Sequence, residues 1–268
     1  MIRAAVLGAP ISHSLSPILH RCAYKYLGIS GEYTAIEVRA EVLADFVKGL
    51  DESWTGFSLT MPLKEEILKI ADEVDTLAFR INSANTLLRS EIGWQATTTD
   101  VAGFTAALAS RSVVDFSSVL IIGSGATARA AAAACDSINR EIFVLHRSSH
   151  REAAMKLAAP STRIYFIPWD GALPPTDLVI NTTPAYVADQ FADRLHVRPQ
   201  SVFFESLYNP WPTKVLANWQ AEGGLGIDGL DLLIYQGMEQ VSLMTHSTFD
   251  RTLLAPILRS ACLAALKD

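Results

Sequence analysis

Cysteine is scarce. The 268 residues hold only Cys22, Cys135 and Cys262, widely spaced and odd in number. That excludes a disulfide framework, leaves no paired cysteine spacing for zinc or another metal, and fits a reducing cytoplasm. Positive charge is short too: the formal net charge is −6, and the densest basic cluster, Arg147 to Arg151, is too small for the basic stripe of a nucleic-acid binder. There is no run of about 18 apolar residues, so no membrane span is expected. The opening MIRAAVLGAPISHSLSP turns polar too early for a secretory leader. Repeats of fixed period and low-complexity linkers are also missing. What is present is core-forming material, 50% apolar residues against 19% charged, enough for two modest domains. The expectation is a soluble cytoplasmic protein, monomer or homodimer, acting on small molecules.

Short apolar runs alternate with helical patterns along most of the chain. Ala4 to Leu7, Glu32 to Val38 and Phe57 to Thr60 read as strands, with helices from Ser16, over Val42 to Leu50 and over Lys64 to Asp72. Ser16 suits an N-cap and Pro17 the first helical position, and Leu15, Leu19, Cys22 and Tyr26 share one apolar face. The alternation predicts a parallel α/β arrangement. It restarts after Asp100, with strands at Val119 to Ile122, Ile142 to Leu145, Ile164 to Ile167, Leu178 to Ile180 and Val202 to Glu205. Helices are expected over Ala126 to Cys135 and Arg151 to Leu157, and from Leu232 to Leu266 with a break near His246 to Asp250.

The segment VLIIGSGATA, residues 119 to 128, carries a strand into Gly123-Ser124-Gly125-Ala126-Thr127-Ala128 and then a helix. This is the dinucleotide-binding spacing with alanine in third place: Gly123 for the tight turn, Gly125 for close approach of a pyrophosphate, Ala128 for helix–strand packing. Free N–H groups at the helix start meet the phosphates; an ordinary glycine turn is the alternative. About 20 residues on, an NAD enzyme carries an acid for the ribose hydroxyls. Here the chain reads LHRSSHR, and Arg147 and Arg151 supply cations where a 2′-phosphate would lie. That favours NADP over NAD, the alternative being a solvated basic helix start.

The N-terminal half clusters polar residues at places where ligands sit. In SHSLSP, Ser14 and Ser16 flank a helix start, which favours an anion such as a carboxylate, although simple capping needs only Ser16. In TGFSLTMPLK a strand ends in Thr60 with Lys64 just beyond, a cation that gains nothing from a helix N-terminus. SANTL offers Asn85 among apolar neighbours, and TTTD offers Asp100, an acid able to orient a lysine for acid–base work.

Taken together, SHSLSP, the T-x-P-x-K run ending at Lys64, the N-T-L at Asn85, the T-D-x-x-G from Thr99 to Gly103, the glycine loop and the Tyr235–Gln236 pair resemble the shikimate dehydrogenase family. The resemblance implies an α/β fold: an N-terminal open α/β substrate domain, residues 1–100 with C-terminal helices 230–268 returning to it, plus a Rossmann-like NADP domain over 101–229. It implies reversible NADPH-dependent reduction of 3-dehydroshikimate to shikimate in aromatic amino-acid biosynthesis. Lys64 and Asp100 would be the acid–base pair. Ser14 and Ser16 would hold the carboxylate, with Thr60, Asn85, Asp100, Tyr208 and Gln236 around the ring. His146, Arg147, Ser148, Arg151, Thr182, Ser206 and Gly229 would join the glycine loop on the cofactor. Five positions in three motifs depart from the family pattern: Thr97 and Thr98 stand for Asp-Asn, His146 and Ser148 flank Arg147 in place of Asn and Thr, and Ser58 stands for an Asn. An NAD-dependent quinate/shikimate dehydrogenase would need an acid at the second cofactor strand, and a non-catalytic sensor would lack Lys64 or Asp100.

Overall fold

The computed structural model describes residues 1–266, and in it the chain divides into two units. The first joins Met1–Gly103 to the chain from Leu233 onward, and the second is Phe104–Leu232. The first unit opens with strand β1 (Ile2–Gly8), helix α1 (Ser16–Leu27), β2 (Gly31–Glu37), α2 (Leu43–Lys48) and β3 (Gly56–Leu59). A single turn, α3 (Leu63–Glu66), leads to β4 (Glu73–Val74), α4 (Thr76–Arg80), β5 (Thr86–Ser90) and β6 (Gly93–Thr97). The strands lie in the order β2-β1-β3-β5-β6-β4. β1 runs parallel to β2 and β3, whereas β5 is antiparallel to both β3 and β6. The sheet is therefore mixed, not parallel throughout. The β5–β6 hairpin turns at Gly93, whose φ of +141° is open to glycine and strained for other residues. One face of the sheet buries Leu7, Leu43, Phe57, Leu59, Leu63, Ile67 and Leu87 as a single core.

Three local expectations need correction. Helix α1 has Leu15 as its N-cap with no side-chain cap bond, so Ser16 is already helical; Ser14 Oγ instead accepts from the Ser16 N–H at 3.3 Å. Its buried face is Ser16, Pro17, Leu19, His20, Ala23 and Tyr24, while Tyr26 is exposed. The apolar stripe is thus rotated by about a residue, because His20 and Ser16 are buried on it despite their polarity. The helix expected over Lys64 to Asp72 is the one turn of α3 followed by a 3₁₀ turn at Ile67–Lys69, so a helix-dipole argument about Lys64 carries little weight.

After α5 (Asp100–Ser110), the second unit strings β7 (Ser118–Ile122), α6 (Ala126–Ala134), β8 (Glu141–His146), α7 (Glu152–Ala158), β9 (Arg163–Pro168), β10 (Leu178–Asn181), β11 (Val202–Glu205), α8 (Lys214–Ala221) and β12 (Leu225–Ile227). Its sheet runs β12-β11-β10-β7-β8-β9, with every pair parallel. Counted along the chain this is the doubly wound order, which reverses direction between β7 and β10. The strands read as near-continuous apolar runs because helices cover both faces. Leu120, Ile122, Val179, Phe191, Phe203, Leu216 and Trp219 form the core on one side. α8 and β12 had no counterpart in the sequence reading. Helices α9 (Gly229–Thr245) and α10 (Arg251–Ala265) close the chain, with the break between them where it was expected. Asp250 caps α10 by accepting from the Thr252 and Leu253 N–H groups. Among the described residues no helix is long and apolar enough to cross a membrane.

Candidate active site

In the first unit the chain brings its polar residues to the carboxyl ends of β1 and β3, on either side of the point where strand order reverses. The two strand ends are stitched together: the Thr60 N–H donates to the Leu7 carbonyl at 2.9 Å and the Ala9 N–H to the Met61 carbonyl at 3.1 Å. Gly8 permits this approach, since a Cβ there would stand 2.4 Å from the Thr60 methyl. The turn after Thr60 then presents Lys64, whose own carbonyl accepts from the Ala84 N–H at 2.8 Å.

Lys64 Nζ lies 2.6 Å from Asp100 Oδ2. The other carboxylate oxygen, Oδ1, accepts from Asn85 Nδ2 at 2.8 Å. Both oxygens of a buried carboxylate are thereby engaged, one by a cation and one by an amide, which fixes its plane. Asn85 Nδ2 also reaches Thr99 Oγ at 2.9 Å and Gln236 Oε1 at 3.1 Å, and Asn85 Oδ1 accepts from the Thr99 N–H at 2.8 Å. Gln236 comes from α9, 136 residues after Asp100 in the chain, and Gly103 explains how it gets so near. A Cβ at Gly103 would stand 2.7 Å from the Gln236 Cβ. The glycine of the T-D-x-x-G motif thus lets α9 lie against the first turn of α5, where Asp100 sits.

Lys64, Asn85, Asp100 and Gln236 are therefore gathered in one hydrogen-bonded group. Ser16 is buried in the first turn of α1 and Ser14 is half-buried just before it. Thr60, half-buried at the end of β3, adds no side-chain bond to the group among those resolved. Sequence reading missed Thr99, Thr86, His20 and Gln240, all buried and all bonded to this group or to one another. The available signal was Gln240 one turn after Gln236, two amides on one helix face. The departure at Thr98 leaves a mark: its hydroxyl is buried with no hydrogen-bond partner among the described residues.

The second unit builds a different kind of site at the carboxyl ends of β7 and β10. Gly123 has φ +110°, and a Cβ there would come 2.7 Å from Thr182 Oγ. Thr182 in turn donates its hydroxyl to the Ile122 carbonyl at 2.8 Å, tying the loop to β10. Gly125 is the N-cap of α6 and makes no side-chain cap bond, so Ser124, Ala126 and Thr127 surround first-turn N–H groups that the cap residue leaves open. The space beside Gly125 is open: a Cβ would meet only Arg151 Nη1, at 3.6 Å. That is the cradle a pyrophosphate needs, with a guanidinium at its edge.

Arg147, Ser148 and Arg151 are exposed beyond the end of β8, the Arg147 guanidinium standing 5.6 Å from the Trp169 ring centroid. His146 is buried, its Nδ1 2.8 Å from the Ser148 carbonyl and its Nε2 3.5 Å from Glu152. Its ring holds the loop's shape from inside, while the two arginines face outward. Ser206 and Gly229 are brought together, since a Cβ on Gly229 would strike the Ser206 and Leu207 carbonyl oxygens at 2.7 and 2.5 Å. Tyr208 follows two residues later in the same unit, half-buried. Beneath this edge Glu205 is fully buried, accepting from Asn181 Nδ2, Thr213 Oγ and the Leu207 N–H; burial raises its pKa above the ordinary value and those hydrogen bonds oppose the shift.

The chain as a whole is similar to characterised proteins. The family profile for the shikimate dehydrogenase substrate binding domain matches residues 6–87. The crystal structure of Mycobacterium tuberculosis shikimate dehydrogenase superposes with a TM-score of 0.87 at 34% identity, covering 97% of this chain and 100% of that one. Shikimate 5-dehydrogenase from Thermus thermophilus, solved in complex with NADP(H) and shikimate, gives a TM-score of 0.83 at 29% identity over 97% and 100% of the two chains. The shikimate dehydrogenase (NADP(+)) of Thermosynechococcus vestitus is 32% identical over 96% of this chain and 94% of its own length. With sequence and fold matching from end to end, the chain belongs to the shikimate dehydrogenase family.

Proposed function

We propose that this chain catalyses the reversible reduction of 3-dehydroshikimate to shikimate with NADPH, a step of aromatic amino-acid biosynthesis. The observation that carries the proposal is the Lys64–Asp100 contact of 2.6 Å, with Asn85 on the opposite carboxylate oxygen, at the ligand-bearing edge of an α/β sheet. A nicotinamide supplies the hydride when bound; the protein binds, orients and moves the proton. In reduction Lys64 Nζ gives its proton to the substrate's carbonyl oxygen, and in oxidation it takes one from the hydroxyl. Asp100 holds the ammonium in place, and Asn85 holds Asp100. Gln236 and Thr60 face the ring hydroxyls, Tyr208 lies near the substrate, and Ser14 and Ser16 receive its carboxylate at the start of α1.

Residues 1–100 with 230–268 form the substrate domain in this reading, and 101–229 the NADP domain. Gly123 to Thr127 would hold the pyrophosphate on the first turn of α6, with Arg147 and Arg151 on the 2′-phosphate. Ser148, Thr182, Ser206 and Gly229 would border the rest of the cofactor, on a loop that His146 braces. Three free cysteines suit a cytoplasmic protein, which is proposed to act as a monomer or homodimer without nucleic acid or membrane.

Absorbance of reduced nicotinamide, followed with shikimate or quinate and with NADP or NAD, tests the proposal. The expected result is turnover with shikimate and NADP well above every other pair. Turnover led by quinate with NAD would assign another member activity, and no turnover with any pair would sink the catalytic reading.

A further inference from the structure

Behind the Lys64–Asp100 pair lies a buried chain of hydrogen bonds whose directions are all forced. Gln240 sits at its centre. The Asn85 main-chain carbonyl can only accept, so the nitrogen of the Gln240 amide must face it, at 3.0 Å. The same nitrogen donates to Thr86 Oγ at 3.0 Å, which leaves the Thr86 proton for Asn85 Oδ1 at 2.9 Å. On the other side Gln240 Oε1 accepts from Ser58 Oγ at 2.7 Å and stands 3.3 Å from His20 Nε2. Ser58, having given its proton to Gln240, accepts from the Tyr33 hydroxyl at 2.5 Å. The relay therefore runs one way: Tyr33 to Ser58 to Gln240 to Thr86 to Asn85, and from Asn85 Nδ2 to the carboxylate that holds Lys64.

Every member is buried, so water cannot substitute for a lost bond. Burial also drives the His20 pKa down to about 3, with the Gln240 hydrogen bond opposing, so the ring beside Gln240 is uncharged at neutral pH and presents an Nε2–H. Successive bonds that point the same way polarise one another, and here the polarisation ends on the N–H that faces Asp100. The Thr99 N–H also aims at Asn85 Oδ1, so the amide is held from two directions, one from the backbone and one from the relay.

We propose that Gln240 and Thr86 are positioning residues for the proton step: they fix the Asn85 amide, and through it the Asp100–Lys64 pair. The proposal rests on the proposed function and deepens it. Two substitutions at Thr86 separate the hydroxyl from the methyl. Thr86→Val keeps the shape and loses the hydroxyl; Thr86→Ser keeps the hydroxyl and loses a methyl. With wild-type turnover of shikimate established first, Thr86→Val should lower kcat about tenfold, the size of one well-placed hydrogen bond, with a much smaller change in KM. Thr86→Ser should hold kcat within about threefold of wild type, because a lost methyl does not touch the relay.

A purely packing role for Thr86 gives the reverse order, and equal losses in the two variants mean that the hydroxyl rescues nothing; either result overturns the proposal, as does a Thr86→Val enzyme at wild-type speed. Gln240→Met supplies a second measurement. Combined with Thr86→Val it should be little slower than the worse single variant, since both cut one relay. Fully multiplicative losses would mean two independent effects and would overturn it too. A wild-type protein inactive on shikimate with either cofactor would instead sink the proposed function, and this proposal with it.

Discussion

The two units solve opposite problems with opposite materials. In the first, side chains bond to side chains: Lys64, Asp100, Asn85, Gln236, Thr86 and Gln240 come from α3, α5, α9, β5 and the turn before it, and all but Lys64 are buried. In the second, the proposed cofactor site is mostly backbone, a positive-φ glycine and an N-cap without a side-chain bond, with two exposed arginine side chains beside it. Proton transfer needs groups held to within fractions of an ångström before the substrate arrives, which only a satisfied buried network provides. A phosphate needs donors that converge on open space, which a helix start provides without side chains. The first unit should therefore respond to substitution in turnover, and the second in affinity.

The sharpest test of that contrast is Lys64→Ala. With Lys64 as the proposed acid–base group, its removal should cut kcat by about 10² to 10⁴, with KM changing less. Steady-state kinetics with shikimate check it, and a variant with near wild-type kcat would remove Lys64 from the chemistry.

The matching experiment in the second unit is the double change Arg147→Ala with Arg151→Ala. Each charge-assisted contact contributes about 1.5–3 kcal/mol, so NADP affinity should fall by about tenfold or more per arginine. NAD affinity should stay nearly constant, and so should kcat at saturating NADP. Both arginines are exposed, so the melting temperature should hardly move. Equal weakening of the two cofactors would show that neither arginine reads the 2′-phosphate.

The same contrast decides what could be read from the sequence. The glycine loop was legible because its requirement is local: Gly123 and Gly125 serve turns and helix starts within a few residues of themselves. Lys64, Asn85, Asp100 and Gln236 were legible as a motif set, but their bonding was not, because it joins residues up to 151 positions apart through Gly103, whose role shows only when α9 lies on α5. His20 was hidden for a physical reason. On a helix face, period reasoning counts apolar side chains, and a neutral histidine stacked on Tyr33, with ring centroids 3.9 Å apart, packs as one of them. The β5–β6 hairpin was missed since the expected alternation of strand and helix has no place for an antiparallel pair. Thr97 and Thr98 were noted as departures, yet only the structure shows the buried unpartnered hydroxyl at Thr98.

The buried titrating groups should make the units respond to pH in opposite senses. His20 in the first unit has a pKa lowered to about 3 by burial. Its folded value lies below its unfolded one, so its contribution to stability is present above about pH 6.5 and is lost as pH falls toward 3. Between pH 6.5 and 5 that loss amounts to about 2 kcal/mol. Glu205 in the second unit is raised, so its contribution is present below the ordinary carboxylate range and is lost as pH rises through its folded pKa. Denaturant unfolding from pH 7 to 5 should show a shallower decline for His20→Phe, which can still stack on Tyr33, than for wild type. For Glu205→Gln, stability relative to wild type should improve as pH is raised from about 4.5. Parallel pH curves for wild type and both variants would mean that other groups set the pH response.

The smallest expected effect lies in the backbone of the second unit. Tyr186, in the turn after β10, has φ +68° and is 72% exposed. A left-handed conformation costs a residue with a side chain about 1–2 kcal/mol, whereas glycine adopts it freely but loses roughly 0.5–1 kcal/mol of chain entropy on folding. The balance favours Tyr186→Gly, whose melting temperature should rise by about two degrees. Gly123→Ala is the converse. There a Cβ meets Thr182 Oγ at 2.7 Å on a backbone at φ +110°, so the melting temperature should fall, and NADP binding with it. At Gly123 the left-handed turn belongs to the proposed cofactor cradle and its close approach to Thr182 requires glycine; at Tyr186 the turn imposes strain that glycine relieves. A Tyr186→Gly protein that melts lower than wild type would show that the ring's contacts outweigh the backbone strain.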